Sequence, residues 1–149
     1  MELNPNTEIQ PLIGSKEGIL HVTLAFVNPG EQVLVPNPGY PTYTSLSKIL
    51  GAEVINYDLK EEDGWMPDFE ALEKMDLNRV KLMCTNYPNM PTGANASMEL
   101  YEKLVAFGKK HGIIICNDNP YSFILNEYPS SILSVPGAKA VSYTHLTLP

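Results

Sequence analysis

Residues 113–121 read Ile-Ile-Ile-Cys-Asn-Asp-Asn-Pro-Tyr, an apolar run that gives way to polar residues after Cys116. Because the run is short and continuously apolar, it predicts a strand of a parallel sheet that is covered on both faces. Ligands bind at the carboxyl ends of such strands in open α/β sheets. Asp118 and Tyr121 lie at that end, and a carboxylate is costly to bury there unless it is paired. Asp118 is therefore a candidate ligand-binding residue, with a helix or turn cap as the competing interpretation.

The segments around this strand alternate between helical and extended patterns. Residues 97–111 carry Leu100, Leu104 and Phe107 on one helical face, and Gly112 follows as a helix cap. Further upstream, strands are predicted at 32–35, 52–57 and 80–85, and helices at 16–27, at 42–50 and from 67 onward. The helix at 16–27 is expected to be buried, because most of its residues are apolar. The alternation predicts an α/β fold with a mostly parallel sheet.

The composition narrows the class of protein. The 149 residues are 44% hydrophobic and 18% charged, with a formal net charge of −7, and an acidic chain without a basic stripe argues against a nucleic-acid partner. No apolar run approaches the ~20 residues that cross a bilayer, so no membrane association is expected. The N-terminus lacks the pattern of a secretory signal, which favours a cytoplasmic location. Cys84 and Cys116 lie in apolar strands and are expected to be core thiols, not a disulfide or a metal site.

Two upstream loops combine special backbone residues with polar side chains. In Gly-Ser-Lys-Glu-Gly at 14–18, glycine permits close backbone approach and the start of a helix attracts a phosphate. The alternative is that Ser15 only caps its own helix, and the spacing is not that of a Walker A loop. At 37–43, prolines flank Gly39 and Tyr40 and fix an aromatic ring that could stack on a planar ligand. Packing alone is the more common role of such a tyrosine.

Four segments, taken in order, resemble the motifs of one enzyme family. They are Gly-Ser-Lys-Glu-Gly at 14–18, Pro-Gly-Tyr-Pro at 38–41, Asn-Tyr-Pro-Asn-Met-Pro-Thr-Gly at 86–93 and Asp-Asn-Pro-Tyr at 118–121. Together they resemble the class I and II aminotransferases, which are pyridoxal-phosphate enzymes of fold type I. The likeness is strongest to the branch that contains LL-diaminopimelate aminotransferases. It covers about residues 8–138 and implies a partial three-layer α/β/α large domain.

The resemblance implies a binding site for pyridoxal 5'-phosphate. The backbone amides of Ser15 and Lys16 match the phosphate-binding turn of the family. Tyr40 matches the aromatic residue that stacks on the pyridine ring. Asp118 matches the acid that keeps the ring nitrogen protonated, and Tyr121 matches the phenol that donates to the ring oxygen.

This sequence also departs from the family pattern. Met90 stands where the family has an asparagine that contacts the ring oxygen and the substrate carboxylate, and Asn89 is the nearest replacement. The lysine that binds the cofactor covalently is not visible, because Lys139 lacks the serine-rich context of the family. Residues 139–149 do not resemble the family, so residues 1–138 are assigned to the partial cofactor-binding domain and the rest to a possibly foreign tail. No catalytic residue is assigned, and the chain is expected to be an inactive piece of a longer enzyme.

The resemblance implies that the longer parent moves an amino group from an amino acid to a 2-oxo acid, as a cytoplasmic homodimer. Two other functions stay open. A pyridoxal-phosphate-dependent C–S lyase or decarboxylase would use the same scaffold, and the segments that distinguish these enzymes are not in this sequence. A non-catalytic module that binds a phosphorylated nucleotide is a further alternative, although no G-x-G-x-x-G follows a predicted strand.

Overall fold

The strands of this chain all run in the same direction. The computed structural model describes residues 2–125 and 127–145, which contain strands β1 (Gln32–Asn37), β2 (Glu53–Asp58), β3 (Val80–Asn86), β4 (Ile114–Asp118) and β5 (Ser142–His145). They form a parallel sheet in the order β2-β1-β3-β4-β5. The carboxyl ends of β1, β3 and β4 therefore meet at one edge of the sheet. The predicted α/β class and parallel sheet are confirmed.

The helices fill the connections between the strands. They are α1 (Ser15–Phe26), α2 (Pro41–Ile49), α3 (Phe69–Glu73), α4 (Met98–His111) and α5 (Ser122–Leu125), with short 3-10 turns at Glu61–Asp63, Ile132–Ser134 and Ala138–Ala140. Local sequence explains the ends of α4. The Ser97 hydroxyl accepts the Leu100 N–H at 3.1 Å, and Gly112 ends the helix with a φ of 67°, which favours glycine. In the described part of the chain, no helix is both long and apolar enough to cross a membrane.

Two hydrophobic cores lie on opposite faces of the sheet. One core contains residues of α1 and α2 against the strands, including Ile19, Val22, Tyr43, Val33, Val35, Cys84 and Cys116. The other contains residues of α4 against the strands, including Leu100, Leu104, Phe107, Leu34, Met83 and Ile115. Successive strand residues alternate between the two cores, as the two-residue period of a strand requires. The chain therefore has three layers, helix on sheet on helix, and both cysteines are buried thiols as predicted.

Helix α1 and strand β1 are among the predicted elements that differ from the observed ones. Helix α1 is buried on one face only, since Leu24 is 57% exposed and Phe26 is 48% exposed, so the expectation of a buried helix is wrong. Strand β1 continues beyond its predicted end at Val35 to Asn37. The pairing of β1 with β3 stops at Leu34, so Pro36 lies where β1 has only β2 beside it. A proline lacks a backbone donor and is tolerated at such a position.

Strand β5 comes from the segment that was assigned to the tail. Ser142–His145 pair in parallel with residues 115–118 of β4, and Ala138 is buried in the core that contains α4. The division of the chain after residue 138 stays a prediction. Residues 146–149 lie outside the described residues.

Candidate functional site

The Asp118 carboxylate is fixed at the carboxyl edge of the sheet by two neighbouring elements. It is the last residue of β4 and is 2% exposed. The Tyr43 hydroxyl of α2 donates to Asp118 Oδ2 at 2.7 Å. The Asn86 side chain, at the end of β3, donates to the Asp118 carbonyl at 2.9 Å, and the two residues are direct partners in the strand register. Both the side chain and the backbone of Asp118 are therefore held in one position.

Tyr43 serves as a donor to this carboxylate. Its side chain is fully buried, and burial raises its pKa well above the ordinary value, with the charge of Asp118 raising it further. The hydroxyl therefore stays protonated at all physiological pH values. Sequence reasoning did not assign Tyr43. One sequence signal could have identified it. Tyr43 lies three residues after Tyr40, on the helix that follows the Pro-Gly-Tyr-Pro segment, and a tyrosine buried there needs a hydrogen-bond partner for its hydroxyl.

Tyr40 and Lys16 lie next to Tyr43. The rings of Tyr40 and Tyr43 pack edge to face, with centroids 5.6 Å apart and planes at 86°. The Lys16 ammonium lies 5.9 Å from the centroid of the Tyr40 ring. Gly39 allows this loop its tight path, because a Cβ at this position would lie 2.4 Å from the Pro36 carbonyl oxygen. These contacts connect the start of α1 to Asp118 through two aromatic rings.

The start of α1 offers backbone donors. Gly14 is the N-cap with an extended backbone, and no side chain caps this helix among the described residues. Ser15 is the first helical residue and not the N-cap, so the interpretation of Ser15 as a cap for its own helix is wrong. The first N–H groups of a helix have no acceptor within the helix, and this end carries the positive part of the dipole. Ser15 and Lys16 hold these positions.

Tyr121 and Met90 join the loop after β4 to the loop after β3. Tyr121 is half-buried after β4, and its hydroxyl lies 3.9 Å from the Met90 sulfur in the loop after β3. The Met90 N–H donates to the Asn86 side-chain oxygen at 2.7 Å, while the same side chain donates to Asp118. Asn86 thus joins both loops through one side chain that is 2% exposed. Sequence reasoning counted Asn86 only as the start of a motif and did not assign this role.

Asn89 is engaged within its own loop. Its side-chain oxygen accepts from the Thr92 hydroxyl at 2.9 Å and from the Thr92 N–H at 3.4 Å, and its side-chain nitrogen donates to the Asn86 carbonyl at 3.3 Å. The side chain is 3% exposed. In this arrangement Asn89 shapes the loop that carries Met90.

Tyr143 of β5 borders the site from the outer strand. It pairs with Cys116 in the strand register, two residues before Asp118. Burial raises the pKa of Tyr143 to about 12, and the neighbouring Cys116 and Asp118 contribute to the increase. Asp118 therefore acts electrostatically on Tyr143, which belongs to the segment that the sequence assigns to the tail.

The arrangement suits a planar ligand with opposite charges at its two ends. The buried carboxylate of Asp118 favours a protonated ring nitrogen, and the amides at the start of α1 with the Lys16 ammonium favour an anion. Tyr40 offers an aromatic face and Tyr121 a phenol. Within residues 2–125 and 127–145, no group of three or more ligating side chains is placed to hold a metal ion.

Comparison with known proteins identifies the family. A sequence model described as aminotransferase class I and II matches residues 1–145. The chain belongs to this aminotransferase family. Family members use pyridoxal phosphate, and the donor set described above, a buried acid, an aromatic face, a phenol and a helix start, fits that group. The family resemblance predicted from the four motifs is confirmed.

Individual relatives of the aminotransferase family give the same result. LL-diaminopimelate aminotransferases from Dehalococcoides mccartyi and Aquifex aeolicus are 44% and 46% identical to it, over 95% of this chain and 37% of their own length. Among solved structures, apo-BacF from Bacillus subtilis has a TM-score of 0.92 at 40% identity, covering 99% of this chain and 38% of BacF. A probable N-succinyldiaminopimelate aminotransferase from Thermus thermophilus has a TM-score of 0.91 at 31% identity, with 99% and 40% covered. The chain thus spans little more than a third of the length of these aminotransferases.

Proposed function

We propose that this chain is the cofactor-binding part of a pyridoxal-phosphate-dependent aminotransferase that moves an amino group from an amino acid to a 2-oxo acid. The observation that carries the proposal is the buried Asp118 carboxylate, held by Tyr43 and Asn86 at the carboxyl edge of the sheet. A buried carboxylate favours a cationic partner, and the protonated pyridine nitrogen is such a partner. The membership in the aminotransferase family and the names of the relatives support the same function.

Each assigned residue has one role in this proposal. The N–H groups of Ser15 and Lys16 bind the phosphate at the start of α1, with the Lys16 ammonium nearby. Tyr40 covers the face of the ring. Asp118 orients the ring and keeps its nitrogen protonated, and Tyr121 donates to the ring oxygen.

Two further residues act by supporting these contacts. Tyr43 donates to Asp118 Oδ2 and keeps that carboxylate in one orientation, while its hydroxyl retains its proton. Asn89 holds the loop between residues 86 and 93 in shape through Thr92. The bound pyridoxal phosphate supplies an electron-withdrawing ring that stabilises negative charge at the substrate α-carbon. The contribution of this chain is to bind that ring, orient it and hold the proton on its nitrogen.

The proposal extends to substrates and partners of the whole protein. The curated relatives are named for LL-diaminopimelate, and one solved structure is named for its N-succinyl derivative. We propose an amino acid donor and a 2-oxo acid acceptor, a cytoplasmic location and a homodimeric whole protein. Formation of a new amino acid and a new 2-oxo acid from the two substrates, followed in the whole protein, tests the reaction. Release of sulfide or carbon dioxide without amino transfer would instead indicate the lyase or the decarboxylase.

A binding experiment on the chain itself tests the role of Asp118. Pyridoxal phosphate is titrated into the chain and into the variants Asp118→Asn and Asp63→Asn, and bound cofactor is measured by absorbance after equilibrium dialysis. We expect Asp118→Asn to weaken binding about 10–100-fold, since it removes an interaction with a charged group. Asp63→Asn is the matched control, because it removes the same charge from an exposed position. Equal affinities for the chain and for Asp118→Asn would remove Asp118 from the site.

A further inference from the structure

We infer that Met90 is a positioning residue for the Tyr121 phenol, and that its thioether sulfur holds this ring ready to donate to the cofactor. This inference rests on the proposed function. The Tyr121 hydroxyl lies 3.9 Å from the Met90 sulfur, within reach of a weak O–H···S hydrogen bond. Both side chains are half-buried, and the contact joins the loop after β3 to the loop after β4.

The position of Met90 is set by the backbone and not by its flexible side chain alone. The Met90 N–H donates to Asn86 Oδ1 at 2.7 Å, and Asn86 Nδ2 donates to the Asp118 carbonyl at 2.9 Å. Asn86 is 2% exposed and lies opposite Asp118 in the strand register. The buried Asn86 side chain therefore links the backbone of Met90, whose sulfur contacts Tyr121, to the backbone of Asp118. A change at Asn86 would move the acceptor of the Tyr121 hydroxyl.

The chemistry of methionine explains why this contact suits a binding site. A thioether is a weak acceptor and has no hydrogen to donate, whereas an asparagine amide at the same position could donate to the ring oxygen. The Tyr121 hydroxyl has one hydrogen to donate. It can exchange the weak hydrogen bond to sulfur for one to a ring oxygen at a low cost in free energy. Met90 thus makes no hydrogen bond to the ring oxygen, as an asparagine could. It instead orders the Tyr121 phenol, which donates to that oxygen. Ordering a free side chain costs more than breaking a weak bond to sulfur, so the contact favours binding.

The first experiment needs no cofactor and so is independent of the proposed function. The chain is labelled with 13C at the methyl groups of its six methionines, and the Met90 signal is assigned with Met90→Leu. We expect Tyr121→Phe to shift the Met90 signal, because the hydroxyl leaves the sulfur. The signal of Met98, which is 42% exposed at the start of α4, should not move and serves as the control. An unchanged Met90 signal in Tyr121→Phe overturns the inference.

The second experiment measures whether the two residues act as a unit in binding. Pyridoxal phosphate affinity is measured for Met90→Leu, Tyr121→Phe and the double variant. We expect about a threefold loss for Met90→Leu and about tenfold for Tyr121→Phe, with the double variant equal to Tyr121→Phe alone. Losses that multiply to about thirtyfold would mean that Met90 acts independently of Tyr121, and the inference would fail. The affinity of Asp118→Asn tests a different claim. An unchanged affinity in that variant contradicts the proposed function, whereas the methionine signals test the contact of Met90 with Tyr121 in either case.

Discussion

Replacing Tyr43 by phenylalanine should destabilise the chain more than the same replacement at Tyr57 or Tyr128. The variant keeps the buried ring and deletes the O–H that donates to Asp118 Oδ2 at 2.7 Å. A hydrogen bond to a charged group contributes about 1.5–3 kcal/mol, and Asp118, at 2% exposure, has little access to water as a substitute donor. For a chain of this length each kcal/mol corresponds to about 2–4 °C, so the melting temperature should fall by about 3–12 °C.

Two matched variants calibrate this value. The Tyr57 hydroxyl donates to the neutral Cys84 carbonyl at 2.6 Å, so Tyr57→Phe should cost about 0.5–1.5 kcal/mol, roughly half as much. Tyr128 is 85% exposed, so Tyr128→Phe should shift the melting temperature by no more than about 2 °C. Thermal unfolding at pH 7 is followed by circular dichroism and calorimetry for all four proteins.

The melting temperatures of the three variants test whether the Tyr43–Asp118 hydrogen bond stabilises the chain. If Tyr43→Phe melts within the error of Tyr128→Phe, the Tyr43–Asp118 bond contributes nothing to stability and the account of how Asp118 is fixed is wrong. If Tyr43→Phe and Tyr57→Phe are equal, the bond exists but the carboxylate gives it no extra strength. Cofactor affinity measured on the same samples separates the two outcomes from a general loss of folding.

Three further outcomes are expected. Burial raises the pKa of Tyr43, Tyr57, Tyr87 and Tyr101, so the unfolded chain loses these protons first as the pH rises. The contribution of these tyrosines to stability should be level below about pH 9.5 and fall above pH 10 by up to ~1.4 kcal/mol per pH unit and tyrosine. Urea unfolding at pH 8, 10 and 11 measures this fall, and a rise in stability over that range would contradict it. Gly39→Ala should lower stability by about 1–3 kcal/mol and weaken cofactor binding, because its Cβ would lie 2.4 Å from the Pro36 carbonyl oxygen; an unchanged melting temperature would show that the loop has room. Ser97→Ala should cost about 1 kcal/mol in urea unfolding through loss of the α4 cap, and no change would mean that water replaces it.

Local sequence predicted those parts of the fold in which neighbouring residues decide the structure. The spacing of Leu100, Leu104 and Phe107 and the glycine at 112 located α4, because one turn of helix and its cap depend on residues a few positions apart. The apolar run before Asp118 located β4 for the same reason. The burial of α1 was predicted wrongly, because Leu24 and Phe26 are apolar but point away from the sheet. Composition shows how apolar a helix is, whereas burial depends on what packs against each face.

The site was predictable as a set of motifs but not as a set of contacts. The structure joins Lys16, Tyr40 and Asp118 through Tyr43, and no local signal pairs Tyr43 with Asp118. Asn86 was missed for a similar reason, since its role depends on the register between β3 and β4. Met90 was recognised as a departure from the family pattern, and only its distance to the Tyr121 hydroxyl suggests what it does.

The Tyr43–Asp118 hydrogen bond also has a consequence for how this chain folds. Its two residues are 75 positions apart, with β2 and β3 both formed between them, so the bond can exist only after the central strands have assembled. Contacts of such long range carry a high cost in loop closure and form late in folding. A ligand that needs Asp118 in place can recognise only chains in which α2 and the end of β4 have come together. Added cofactor should therefore stabilise the folded chain selectively, and at saturating concentration its occupancy should equal the fraction of correctly folded molecules in a mixed population.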